Sequence, residues 1–106
     1  MMSQNVIEIV KFKLAPGVSE QDFLPLNDAF QTFIDKQSGL LYRSLAKQPN
    51  NQGYIDVIYW QSMEDSKRTA EAFNNSTVCM DFLTLIDKQS VDMTHHMIIA
   101  QSTCSG

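Results

Sequence analysis

The chain has 106 residues, of which 43 % are apolar and 19 % charged, with a net charge of −4 and a pI near 4.9. That length suits one domain with a single core. The absence of any basic cluster argues against nucleic acid and anionic membrane as partners. No apolar run approaches the length of a membrane span, and the opening MMSQNVIEIV lacks the basic-then-apolar pattern of a secretory leader. Two cysteines, Cys79 in an apolar helical segment and Cys104 in a polar tail, make neither a disulfide framework nor a CxxC pair. A reducing, cytoplasmic setting is expected, with Cys79 a small buried side chain.

In chain order, the first predicted element is a strand over Val6–Leu14. It carries apolar residues on both faces and is closed by Ala15-Pro16-Gly17. A helix follows from Ser19, with Asp22 in the capping-box position and Phe23, Leu26, Phe30, Phe33 and Ile34 as its apolar stripe. Pro25 lacks the N–H that would bond the Gln21 carbonyl, so either the first turn is separate or the helix is kinked there. Gly39 stops it. Strand two covers Leu40–Gln48, and Pro49-Asn50-Asn51-Gln52-Gly53 is a hairpin connection to strand three, Tyr54–Gln61, the richest in β-branched and aromatic residues. Ser62 caps a second helix with Met63, Ala70 and Phe73 inward. Asn74-Asn75-Ser76-Thr77 interrupts it, and a short helix carrying Cys79, Phe82, Leu83 and Ile86 follows. The last strand is Val91–Ala100. The core is expected over residues 5–100 of a single domain, 1–106, with 101–106 a polar tail.

The order β-α-β-β-α-β is the split βαβ, or ferredoxin-like, α+β pattern: a four-stranded antiparallel sheet with its helices on one face. With the helices over the uncharged side of strand three, Ile55/Val57/Tyr59, the side Tyr54/Asp56/Ile58/Trp60 is left open. Trp60 alone would expose up to about 250 Å² there. A patch with such neighbours exceeds what a monomer normally shows, so a second copy packed sheet to sheet, a homodimeric α/β barrel, is expected.

Strand one running into Leu14-Ala15-Pro16-Gly17-Val18, and strand three running into Tyr59-Trp60-Gln61-Ser62-Met63-Glu64 with a helix to Phe73-Asn74-Asn75-Ser76, resemble the dimeric α/β-barrel superfamily. Within it they are most similar to antibiotic-biosynthesis-monooxygenase-type domains. The resemblance covers most of residues 5–100. It implies a homodimer with a hydrophobic pocket and, in some members, oxygenation of aromatic polyketides without metal or flavin. Members that degrade haem carry an iron-ligating His after the second-helix break, where this chain has Leu83. Their assisting Trp falls near Phe73, and their strand-one Asn is missing. Haem degradation is therefore disfavoured, and neither a metal nor another cofactor is expected.

Among candidate site residues, His95 and His96 are adjacent on a strand and point to opposite faces, so they cannot share one intramolecular site. His96, in line with Thr94 and Ile98, is the candidate catalytic base projecting into the barrel, the alternative being a structural His. His95 is assigned to the helix side or an edge. Glu8, Arg43 and Asp56 are charges within apolar strands. Arg43 either pairs with Asp56 or Glu8 or orients an anionic or carbonyl-bearing ligand. Trp60 is a pocket wall or helix-side core, and Tyr42 and Tyr54 contribute hydroxyls to the pocket. Two functions remain open: a cofactor-independent monooxygenase acting on a planar hydrophobic or aromatic molecule, or a non-catalytic small-ligand-binding or stress-related dimer.

Overall fold

Each predicted segment folds as a regular element, and the strands pair in an order that leaves the last of them at an edge. The structure, a computed structural model, describes residues 4–102, so Cys104 lies outside the described residues. The strands are β1 (Val6–Phe12), β2 (Leu40–Lys47), β3 (Tyr54–Trp60) and β4 (Asp92–Met97); the helices are α1 (Glu20–Asp35), α2 (Met63–Asn74) and α3 (Thr77–Thr84). All strand pairs are antiparallel and the sheet order is β2-β3-β1-β4, the ferredoxin-like arrangement.

Local chemistry sets the boundaries. Ser19 and Asp22 form the reciprocal capping box at the start of α1, each side chain accepting from the other's backbone N–H at 3.1 Å. The helix then runs unbroken across Pro25 to Asp35. The missing hydrogen bond there is outweighed by burial of Phe23, Phe30 and Ile34 along one stripe. Ser62 and Ser76 cap α2 and α3 through their hydroxyls, which accept from the Asp65 and Cys79 backbone N–H, so the Asn74–Thr77 interruption is a true helix break. Gly39, at φ +87°, turns α1 into β2. The Asp65 carboxyl group fills the space that a Cβ would need there.

The core lies between the helices and one face of the sheet. Phe12, Phe23, Phe30 and Phe82 form a continuous aromatic cluster, with Phe30 and Phe82 stacked at 4.6 Å between centroids. Val6, Ile34, Ile58, Trp60, Cys79 and Ile86 complete it.

One sequence expectation is reversed. The helices cover the Tyr54/Asp56/Ile58/Trp60 side of β3, and Ile55/Val57/Tyr59 face outward. This side carries Asp56, but the carboxylate is paired in place with Arg43 of β2, so the face can be buried under the helices. The outward side is nevertheless apolar. Register places Ile7 and Ile9 of β1, Ile55, Val57 and Tyr59 of β3 and Tyr42 of β2 together, with Thr94 and His96 at the edge. Tyr42 and Tyr59 meet edge to face at 6.2 Å. Among the described residues no helix is long and apolar enough to cross a membrane.

Candidate functional site

Because β4 is an edge strand with β1 as its one neighbour, the helix layer does not close over it: Met93, on the helix side, is 54 % exposed. A cavity of about 520 Å³ opens there between α2 and β4 and runs inward between α2, α3 and the sheet. Its walls are mainly apolar: Val10, Phe12 and Ile58 from the sheet, Phe73 from α2, and Phe82 and Leu83 from α3. Phe73 and Leu83 are thus both wall residues.

One end of the cavity is polar, and Glu8 is its hub. Glu8 stands opposite His95 in the β1–β4 ladder and beside Trp60 and Ile58 of β3. Its Oε1 accepts from Ser66 Oγ–H at 2.7 Å and from Trp60 Nε1–H at 3.1 Å, and it lies 3.2 Å from His95 Nε2. His95 Nε2 also lies 3.0 Å from Ser66 Oγ. Ser66 has a single proton, which the 2.7 Å contact commits to Glu8, so toward His95 its oxygen is an acceptor. The carboxylate is an acceptor as well. Both contacts therefore assign a proton to Nε2, and in the neutral ring Nδ1 keeps the free lone pair. A serine-nucleophile triad is excluded by the same geometry. In such a triad the imidazole bridges acid and hydroxyl through different nitrogens, whereas here one nitrogen meets both. What the arrangement offers is a histidine whose Nε2–H is held by a buried carboxylate and whose Nδ1 is free to accept, at the wall of an apolar cavity.

The second buried polar group supports the first. Arg43 donates to Asp56 through Nε (2.9 Å to Oδ1) and through Nη2 (2.7 Å to Oδ2). Its remaining donors reach Gln31 and Asn27 of α1 at 2.9 and 2.8 Å, and the guanidinium lies 4.7 Å from the centre of the Phe30 ring. Burial raises the Asp56 carboxyl above the ordinary range, only partly opposed by Arg43. Asp56 lines the cavity, with Arg43 tying α1 to the sheet behind it.

The residues singled out from sequence are therefore divided between two faces. Trp60, 1 % exposed, and Asp56 line the cavity. Arg43 stands behind Asp56 in the ion pair that was one of its two readings. Tyr54 is held off the cavity by donating to Glu20 Oε1 at 2.7 Å, and burial, then that carboxylate, push its hydroxyl up to about 12. Tyr42, 61 % exposed, and His96, bonded to Thr94 Oγ1 at 3.0 Å, stand on the outward face, away from the cavity. His95 occupies its assigned helix side. Ser66 was missed. Its signal was present in α2, where Ser66 and Thr69 place hydroxyls at the inward positions between Met63 and Phe73. Among the described residues no group of three or more His, Cys, Asp or Glu side chains is placed to hold a metal ion.

Sheet order and helix placement are those of the ferredoxin-like α+β fold found in antibiotic-biosynthesis-monooxygenase-like structures. Three solved structures illustrate the likeness. SnoaB, a cofactor-independent oxygenase from Streptomyces nogalater, superposes with a TM-score of 0.66 at 14% identity, covering 95% of this chain and 97% of its own. A protein from Shewanella loihica, proposed to be a monooxygenase, gives 0.65 at 20% identity over 97% and 100%. PA3566 from Pseudomonas aeruginosa gives 0.70 at 18% identity over 94% and 99%. No protein-family model matches the sequence, and no curated protein matches it either.

Proposed function

We propose that this chain is a cofactor-independent monooxygenase that takes a planar, hydrophobic aromatic substrate into the cavity beside His95. The observation that carries the reading is the Glu8–Ser66–His95–Trp60 cluster at the end of an otherwise apolar cavity large enough for a fused-ring molecule. The likeness in fold to a cofactor-independent oxygenase supports it.

The chemistry follows from the base. His95 Nδ1 takes a proton from an activated CH2 between aromatic rings, and Glu8 stabilises the imidazolium through Nε2–H. The resulting carbanion transfers an electron to O2, and the radical pair recombines to a peroxide, which the imidazolium protonates. Loss of the second C–H proton with cleavage of the O–O bond expels water and leaves a carbonyl. One CH2 and one O2 become one C=O and one H2O. The apolar walls keep bulk water from the carbanion.

Oxygen uptake with 1,8-dihydroxyanthrone as probe tests this reading. Uptake should be equimolar with quinone formed and should fall about 10²–10⁴-fold in His95→Gln, which keeps a hydrogen-bonding side chain but loses the base. His96→Ala, altered on the outward face, should turn over normally. Full activity in His95→Gln would remove the assigned base. Absence of uptake in the unaltered protein, with the probe still bound, would return the non-catalytic ligand-binding reading.

The outward apolar face supports a homodimer formed sheet to sheet, which would place the cavities on the far side of each sheet from the contact. Sedimentation at micromolar concentration should give twice the 12.0 kDa chain mass. A folded species of one chain mass would exclude the barrel.

A further inference from the structure

The rim of the cavity carries a charge that the proposed chemistry does not use. Lys67 follows Ser66 on α2 and lies at helical spacing with Met63, Ala70 and Asn74, along the helix edge that faces Val91 and Met93 across the opening. Among the described residues it is the one lysine or arginine lining the cavity. Glu64 and Glu71 stand at i−3 and i+4, the spacing at which helix ion pairs form. Among the described residues, however, the ion pairs are Arg43–Asp56, Lys47–Glu20, Arg68–Asp65 and His95–Glu8, and Lys67 is in none of them. At the inner end the charge is of opposite sign: Glu8 lines the wall.

We infer that Lys67 selects and orients aromatic substrates bearing a carboxylate, holding that group at the rim so that the uncharged end of the ring system reaches His95. The inference rests on the cavity being the substrate site proposed above. Its physical basis is the gradient along the cavity. A carboxylate turned inward would meet Glu8 at short range in an apolar, water-poor space, a severe cost. Turned outward, it meets an unpaired ammonium and keeps part of its hydration. The two charges reject the reversed orientation and favour the productive one, a division between repulsion and attraction typical of specificity.

Binding of 2-naphthoate and its uncharged isostere 2-naphthamide, followed through the fluorescence of Trp60, the sole tryptophan, tests this in the full chain. At fixed pH, the comparison with Lys67→Met isolates the lysine. The carboxylate should bind roughly fivefold more tightly than the amide at low salt, and added salt should erode only that advantage. Lys67→Met keeps the aliphatic stem of an exposed side chain. It should abolish the preference and leave amide affinity unchanged. Equal affinities in the unaltered protein, or a preference that survives Lys67→Met, would refute the inference, as would failure of both ligands to perturb Trp60. A Lys67-dependent preference in a protein that consumes no oxygen would uphold this inference while defeating the monooxygenase reading.

Discussion

Arg43→Met should lower unfolding stability by about 3–5 kcal/mol, read from urea denaturation at neutral pH. The Arg43 and Asp56 side chains are 1% and 6% exposed, so deleting the cation strands a carboxylate away from water and leaves Gln31 and Asn27 without their donor. The double variant Arg43→Met/Asp56→Leu should recover much of the loss, because two apolar side chains remove the desolvation cost as well as the attraction. The pH dependence has a definite sign. Burial holds the folded Asp56 carboxyl above its ordinary 3.8. Its contribution to stability is therefore fully present below that value and is lost as pH rises through the raised one. Without Arg43 the elevation grows, so Asp56 takes up its proton at a higher pH in Arg43→Met, and the deficit of the variant should shrink on acidification from neutral pH toward about pH 4. An equal deficit at both pH values would show that the ion pair is not its source.

Trp60→Ala should be comparably costly, about 3–5 kcal/mol, since the side chain is 1 % exposed and its removal opens space that the surrounding Val6, Ile34 and helix contacts cannot fill. Part of the loss comes from Glu8, whose Oε1 forfeits the indole N–H. Trp60→Phe keeps most of the volume and removes that donor, so it should cost about 1–3 kcal/mol. Trp60 lies on the helix side, and the association state measured by sedimentation should survive either change. Its emission should be blue-shifted, resistant to polar quenchers and responsive to molecules entering the cavity. Free quenching in the folded protein would contradict its burial.

Element order, strand limits to within a few residues, the helix break at Asn74–Thr77 and the caps at Ser19 and Ser62 were all legible because each is decided by neighbouring residues. Parity in β3 was not. An alternating strand with apolar residues on both faces presents two defensible interiors, and the deciding contact, Arg43 to Asp56, spans two strands. The candidate site shared this fate. His95 and Glu8 are 87 residues apart in sequence yet meet across one ladder position. Ser66 joins them from a helix whose inward hydroxyls break the apolar rule. The outward apolar face was anticipated in kind and misplaced in its residues, since either face of β3 would have been apolar enough to suggest it.

The sheet is one residue thick, so neighbouring positions of β1 answer to different demands. Val6, Glu8 and Val10 belong to the core and cavity, while Ile7 and Ile9 belong to the opposite surface. The same alternation holds in β3 between Asp56, Ile58 and Trp60 and their neighbours Ile55, Val57 and Tyr59. Substitution along either strand is thereby sorted by parity. Changes at one set of positions reshape the cavity and leave the outward face as it is, and changes at the other set do the reverse.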